Sequence, residues 1–354
     1  MMRTLTLHIG TPKSGTTSLQ TALSTHGAAL AGIGRGYAAP RGDINASAAV
    51  ADLARTDTHY WARSTQAQRR HLAAVWRSSS PGAAVGRLHA GTPVDAEHLI
   101  LSAENLSLAG PQLIRRTLDL FPDRVVRVVV VRRPATKGLT SNYWQIAKMQ
   151  VVPPFAVWLR RELRAILARD EDAVTGWAQV GPLEQAWRGS GEVTTVHLPG
   201  MSPATELGRA MDVIVGVPGI ITDLPRLNVR HSAELTAALQ MTIRTRPHAD
   251  RRTLQRLLTT AAAHDPGLPS VDPIPAALAE LIDDALGVHG RAEPRAELAA
   301  LLRDGAAFAD AGVRDPLGEA NVEVVELLAR HMRRDYPLAL GRSWAARSWA
   351  RVGR

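Results

Sequence analysis

A short segment near the N-terminus combines the residue types that bind phosphate groups in proteins. Leu5, Leu7 and Ile9 alternate with polar residues, which predicts a β-strand. The residues from Gly10 to Gly15 form a tight loop, and a helix is predicted to begin at Thr16. The first N–H groups of a helix have no partner within the helix and carry partial positive charge. Strand, glycine-bounded loop and helix N-terminus together predict an anion site, and phosphate is its natural occupant.

The loop departs from the nucleoside-triphosphatase pattern G-x-x-x-x-G-K-[ST]. Gly10 and Gly15 have the required spacing, but Thr16 and Thr17 follow them, and the lysine lies inside the loop as Lys13. A lysine at that position points at a leaving group rather than along a triphosphate. The chain contains only three lysines against 39 arginines. A compact ammonium is therefore kept where a bulky guanidinium would not substitute well.

The six residues from Pro12 to Thr17 resemble the 5′-phosphosulfate-binding loop of sulfotransferases, which use 3′-phosphoadenosine 5′-phosphosulfate (PAPS) as sulfuryl donor. The resemblance implies that this loop holds the 5′-phosphate and that Lys13 stabilises charge on the oxygen that leaves sulfur. The implied donor-binding residues are Pro12, Lys13, Ser14, Gly15, Thr16, Thr17 and Ser18. A chance turn and another phosphate-binding use of the loop stay open as alternatives.

A second segment resembles the 3′-phosphate site of the same family. Residues 125–131 predict a buried strand, Arg133 follows it, and Ser141 comes eight residues after Arg133 on a predicted helix. The resemblance implies that Arg133 and Ser141 hold the 3′-phosphate, with Arg132 as the alternative arginine. A further arginine, Arg230, lies in a segment that resembles the one after the last core strand, and it is a weaker candidate for the same phosphate.

The acceptor must lose a proton, and Glu104 is the candidate base. It follows a predicted strand at 98–102, where the family carries a Glu or a His. A helix-capping or salt-bridged role for Glu104 stays open. The twelve histidines of the chain compete with it as the base, and four of them could line an acceptor site: His26, His59, His71 and His89. His8, inside the first strand, is expected to be packed. No metal-ligand spacing such as H-E-x-x-H occurs, so no metal is expected.

Composition restricts the class of protein. The net charge of +9 favours anionic partners, but only 4% of residues are aromatic, and no basic stripe carries stacking rings, so no nucleic-acid partner is expected. Cysteine is absent, and no run approaches the ~18 apolar residues of a membrane span. With no leader sequence evident, we expect a cytoplasmic protein. The Arg-rich, Lys-poor composition suggests a bacterial source, and an oligomer of identical chains stays open.

Strand and helix patterns alternate along the chain, with a further strand predicted at 193–198. This alternation predicts an α/β fold, and the resemblance implies a P-loop-type parallel sheet flanked by helices. We expect a PAPS-binding core at 1–240 with an acceptor-side helical insertion near 36–95. A helical C-terminal region at 241–335 and a basic tail at 336–354 would follow.

The resemblance implies transfer of a sulfuryl group from PAPS to an acceptor hydroxyl on a glycan, a lipid or a secondary metabolite. Two other functions stay open. One is a P-loop kinase or other nucleotide phosphotransferase, which would need a Mg²⁺ site. The other is a non-catalytic protein that binds a nucleotide in the same loop.

Overall fold

The fold is an α/β fold built on a five-stranded, all-parallel sheet in the order β2-β3-β1-β4-β5. It is given by a computed structural model, which describes residues 2–10, 14–40, 43–63, 73, 76–77, 80–93, 95–148, 150–168, 180–198, 203–225, 232–245, 251–264, 272–286 and 292–334. The strands are β1 (Thr4–Gly10), β2 (Arg35–Ala38), β3 (His98–Ser102), β4 (Val125–Arg132) and β5 (Glu192–His197).

Helices precede and follow the strands and continue through the C-terminal third of the chain. They are α1 (Thr16–Thr25), α2 (Gly27–Ala31), α3 (Ser47–Leu53), α4 (Thr58–Arg63), α5 (Ala83–Gly91), α6 (Pro111–Leu118), α7 (Ala135–Ala147), α8 (Phe155–Leu167), α9 (Val180–Arg188), α10 (Pro203–Val215), α11 (Ala233–Thr245), α12 (Arg251–Ala261), α13 (Ala276–Leu286), α14 (Ala292–Arg303), α15 (Gly305–Asp310) and α16 (322–334). Short 3-10 helices occupy Ala54–Thr56, Glu104–Leu108 and Ala262–His264.

Both faces of the sheet are covered, as its apolar strands require. Leu7 and Val130 belong to a buried cluster that includes residues of α3 and α6. Val129 and Val131 belong to a second buried cluster, which includes residues of α1 and α10. Successive residues of β4 thus enter different cores, which explains why this strand is apolar almost throughout.

The predicted strands at 5–9, 98–102, 125–131 and 193–198 are confirmed within a residue or two at each end. β2 was not predicted, although it opens the segment near 36–95 that the sequence indicates to be a helical insertion. Its four residues include a glycine and no β-branched side chain, so local propensity is weak. Pairing with β3 supplies the backbone hydrogen bonds that hold it at the edge of the sheet.

The chain forms two compact units. The first comprises Met1–Gly138, Ile166–Leu227 and Ile282–Arg295, and it contains the sheet. The second comprises Leu139–Ala165, Asn228–Leu281 and Ala296–Arg354, and its described part is helical. The boundaries near residues 240 and 335 that the sequence indicates stay predictions.

Two packing features organise the second unit. One is a buried core shared by α11, α12 and α16. The other is an aromatic cluster in which Tyr143 contacts Phe155 and Trp158, with ring centroids 4.9 and 5.3 Å apart. Among the helices that the structure describes, none is long and apolar enough to span a bilayer.

Candidate functional site

The candidate site lies along the edge of the sheet that is formed by the carboxyl ends of its parallel strands. β3, β1 and β4 are adjacent and parallel, so the segments that follow them leave the sheet on the same side. The register places His8 opposite Ser102 and Gly10 opposite Val131. The chain therefore leaves β1 at Gly10 between the segments that follow β3 and β4. In open α/β sheets, ligands bind at this edge.

Two glycines shape the loop between β1 and α1. A Cβ on Gly10 would collide with Thr16 Cγ2, so the start of α1 can lie over the end of β1 only because residue 10 lacks a side chain. Gly15 has a φ of +83°, in the left-handed region that favours glycine. A Cβ there would also lie 2.6 Å from Leu207 Cδ2 of α10. Gly10 and Gly15 therefore allow the described ends of the loop to pack closely against Thr16 and Leu207.

The first turn of α1 follows Gly15 directly. Gly15 is the N-cap and has no side chain that could cap the helix, while its carbonyl accepts hydrogen bonds from Ser18 N at 3.0 Å and Leu19 N at 3.2 Å. Thr16 and Ser18 are buried and Thr17 is half-buried. Ser14, which precedes this turn, is fully buried. Two residues predicted for this site, Pro12 and Lys13, lie outside the described residues.

Arg132 ends β4 and Arg133 follows it directly, and their environments differ. Arg132 Nε donates a hydrogen bond to His197 Nδ1 on β5 at 2.8 Å. Arg133 is half-buried, and its Nε is buried with no hydrogen-bond acceptor among the described residues. Burial lowers the pKa of Arg133, and the nearby Glu206 carboxylate of α10 opposes that effect. Arg133 Nε thus has no acceptor in the described part of the chain, whereas Arg132 Nε is bonded within the sheet.

A carboxylate caps the helix that follows β4. Asp283 on α13 accepts hydrogen bonds from Thr136 N at 2.9 Å and from Thr136 Oγ1 at 2.8 Å. Burial raises the pKa of Asp283, while these bonds, another from the Ala135 backbone and the charge of Lys137 oppose the shift. The N-terminus of α7 is thus already capped by a side chain of this chain. The N-terminus of α1, by contrast, begins with a glycine.

The other predicted 3′-phosphate residues have different outcomes. Ser141 lies on α7, is half-buried and belongs to the second unit, whereas Arg133 belongs to the first. Arg230 lies outside the described residues. The role of both residues stays a prediction.

Glu104 begins the 3-10 helix directly after β3 and is half-buried. The backbone before it is fixed, because Ala103 N donates a hydrogen bond to His8 O at 3.2 Å. The backbone after it is also held, since Asn105 Nδ2 donates to Ser47 O at 3.1 Å. The sheet therefore places Glu104 at the same edge as the loop after β1, on the opposite side of β1 from Arg133.

A buried polar network underlies this edge. The Ser102 hydroxyl lies 2.7 Å from His8 Nδ1 and accepts a hydrogen bond from Gln20 Nε2 at 3.0 Å. Asn45 Nδ2 donates to Gln20 Oε1 at 3.2 Å. Complete burial lowers the pKa of His8 to about 3, so its ring stays neutral near pH 7. The network joins β1, β3 and α1 through side chains rather than backbone bonds.

The competing bases are only partly described. His26 is half-buried at the end of α1, and His89 is exposed on α5. His71 and the side chain of His59 lie outside the described part of the chain. No group of three or more His, Asp or Glu side chains that could hold a metal ion occurs in the part of the chain that the structure describes.

Sequence reasoning missed four contributors to the site. Gln20 and Asn45 belong to the network, but each lies far along the chain from Ser102 and carries no motif. Glu206 and Asp283 occur in ordinary helical patterns, and only tertiary packing brings them near Arg133 and α7. The sequence indicated the site only through Gly10 and Gly15 and through the residues that directly follow the predicted strands.

Comparison of the chain with family models, with curated proteins and with solved structures found no match. The function is therefore inferred from the residues at the sheet edge and from the resemblance of their order to that of sulfotransferases.

Proposed function

We propose that this chain is a PAPS-dependent sulfotransferase with a P-loop-type donor site. One observation supports the proposal: the chain leaves β1 at Gly10 between the segment that holds Glu104 and the segment that holds Arg133, whose Nε has no acceptor among the described residues. In this proposal, a phosphate-binding loop, the Arg133 guanidinium and the Glu104 carboxylate act at one sheet edge. These are the three groups that transfer of a charged group to a hydroxyl requires.

In the proposed reaction, the acceptor oxygen attacks sulfur and the bond from sulfur to the 5′-phosphate oxygen breaks. Glu104 takes the proton of the acceptor hydroxyl. Lys13 stabilises the negative charge that develops on the leaving oxygen. N–H groups of the loop and of the first turn of α1 hold the 5′-phosphate: those of Ser14, Gly15, Thr16 and Thr17. Such chemistry depends mainly on positioning and electrostatic stabilisation.

Selection of PAPS over ATP is assigned to the 3′-phosphate. A guanidinium offers a planar fork of donors that suits a phosphate. Arg133 is the better candidate than Arg132, because Arg132 Nε already donates to His197. Ser141 and Arg230 are proposed for the same phosphate on the resemblance alone. The acceptor is proposed to be a hydroxyl compound, with glycans, lipids and secondary metabolites as the classes to screen.

Replacing Glu104 with Gln tests the catalytic part of the proposal. Formation of 3′-phosphoadenosine 5′-phosphate (PAP) from PAPS would be followed with a mixture of alcohols, phenols and sugars as acceptors. Glu104→Gln should lower the rate by about 10²–10⁴-fold, the usual contribution of a general base. Binding of PAP should be unchanged, because the substitution leaves the loop after β1 intact.

Glu97→Gln is the matched control, since Glu97 is exposed and precedes the other end of β3. It should leave the rate unchanged. A Glu104→Gln enzyme as fast as the parent chain would rule out the proposed base. A parent chain that binds PAP but turns over PAPS with none of the acceptors would favour the non-catalytic alternative.

A further inference from the structure

A groove of about 400 Å³ lies in the second unit between α8 and α15. Its apolar part includes Val157, Phe308 and Ala309. Val157 is 58% exposed, so an apolar side chain faces solvent here. The volume falls within the range of small-molecule sites in proteins.

The charged side chains described in the groove are all basic. Arg160, Arg161 and Arg164 line it, and none of the acidic side chains that the structure describes does so. Arg161 pairs with the neighbouring Glu162, with 3.3 Å between Nη2 and Oε1. Among the described residues, Arg160 and Arg164 form no ion pair. The groove therefore carries positive charge that this part of the chain does not neutralise.

Two of these arginines are held in place by one carbonyl. Arg160 Nε and Nη2 donate to Leu302 O at 3.1 and 2.9 Å. Arg164 Nε and Nη2 donate to the same oxygen at 3.0 and 2.6 Å. These hydrogen bonds cap the C-terminal turn of α14. They account for the Nε and Nη2 donors of both guanidinium groups. They also fix two like charges close together, which costs energy unless an anion is bound.

The remaining donors face no acceptor within the described ranges. A guanidinium has five N–H donors, and the Nη1 groups of Arg160 and Arg164 make no hydrogen bond among the described residues. The Arg160 guanidinium packs against Gly305, which has no side chain there. A Cβ at residue 305 would lie 2.8 Å from Arg160 Nη1. Two oriented guanidinium groups beside an apolar surface match an anionic head group with an apolar chain.

We infer that this groove binds an organic acid with an aliphatic chain. The carboxylate accepts hydrogen bonds from the Nη1 groups of Arg160 and Arg164, and Arg161 adds charge. The chain packs on Ala156, Val157 and Ala309. The inference does not rest on the proposed sulfotransferase activity, because it uses only residues of the second unit.

Calorimetric titration of the full chain with decanoate, decanol and decylamine tests the inference. Decanoate should bind with one-to-one stoichiometry. Decanol, which lacks the charge, should bind at least about tenfold more weakly, and decylamine should bind more weakly still, because the arginines repel it. Rising salt concentration should weaken the binding of decanoate, since the head group is partly exposed to solvent.

Val157→Glu places a carboxylate in the groove at an exposed position and should weaken decanoate binding by about tenfold or more. Val322→Glu is the control, since Val322 is 67% exposed and does not line the groove. Arg161→Gln is a second variant at an exposed position that removes one charge, and it should weaken binding even if Val157→Glu does not fold.

Three results would overturn the inference. One is equal binding of the three probes. Another is unchanged decanoate binding in both groove variants. The last is binding to vesicles of anionic phospholipid without binding of monomeric decanoate. In that case the arginines of the groove would bind a membrane surface instead of a single organic acid.

Discussion

The contact between Gly10 and Thr16 gives the sharpest structural test of the loop. Gly10 is not among the glycines with positive φ in the described chain, so Gly10→Ala meets no backbone penalty. Its new methyl group would instead overlap Thr16 Cγ2 and lie 3.1 Å from Ser14 Oγ. The cost is therefore steric, and it should depend on one neighbouring methyl group.

Overpacking of this kind usually costs about 1–3 kcal/mol. We expect Gly10→Ala to lower the free energy of unfolding by an amount in that range. Thr16→Ser removes the colliding methyl group and keeps the hydroxyl, at a cost of about 0.8 kcal/mol for the lost burial. In the double variant the nearest remaining atoms are Ser14 Oγ at 3.1 Å and Thr16 Cβ at 3.2 Å, which small shifts can accommodate.

Urea unfolding would give the free energy of unfolding for the parent chain, both single variants and the double variant. These four values form a double-mutant cycle. The double variant should be more stable than Gly10→Ala alone, and the coupling between the two sites should be about 0.5–3 kcal/mol. Gly208→Ala is the control: it lies inside α10 with nothing within 4 Å of the new methyl group. It should stabilise the chain by about 1 kcal/mol. A Gly10→Ala chain as stable as the parent, or one that Thr16→Ser fails to rescue, would refute the reasoning.

Three further predictions concern buried polar groups near the sheet edge. Ser102→Ala should lower the free energy of unfolding by about 1–3 kcal/mol in urea, because Gln20 Nε2 loses a buried acceptor. Burial lowers the pKa of His8 from 6.5 to about 3, so stability should be full above pH 6.5 and fall as the pH drops toward 3. His8→Gln should make that pH dependence shallower in urea unfolding at a series of pH values. Burial raises the pKa of Asp283 above 3.8, so its contribution is greatest below pH 3.8 and is lost as the pH rises through the raised value. Asp283→Asn should remove that loss in the same measurement.

Each of these predictions has a contrary outcome. A Ser102→Ala chain with parental stability would mean that the Gln20 amide finds another acceptor. A His8→Gln chain with the parental pH dependence would place the acid sensitivity in other groups, such as His98, whose pKa is also lowered by burial, to about 4. If Asp283→Asn loses stability equally at every pH, the carboxylate acts as a helix cap and its titration contributes nothing.

Much of the sheet could be predicted from local patterns. β1 alternates and β4 is almost entirely β-branched, and both patterns survive in any tertiary context. β2 could not be predicted in this way. Arg35–Ala38 has little intrinsic preference for a strand, and pairing with β3 determines its conformation.

The candidate site likewise contains residues that local sequence predicts and residues that it does not. The loop residues and Glu104 come directly after their strands, so strand order alone brings them to one edge. Glu206 and Asp283 act across long sequence separations, and nothing in their neighbouring residues indicates which helix end or guanidinium they approach. Local sequence thus predicts the residues at the end of each strand, while counter-charges and caps depend on how helices pack.

Donor binding tests the central claim most directly. Calorimetry would compare PAP, without metal, with ATP and Mg²⁺, for the parent chain, Lys13→Ala and the control Lys148→Ala, which removes a lysine of the second unit. The account predicts that PAP binds without metal and more tightly than ATP, and that Lys13→Ala alone weakens it. Absence of PAP binding, or a metal-dependent preference for ATP, would contradict the account.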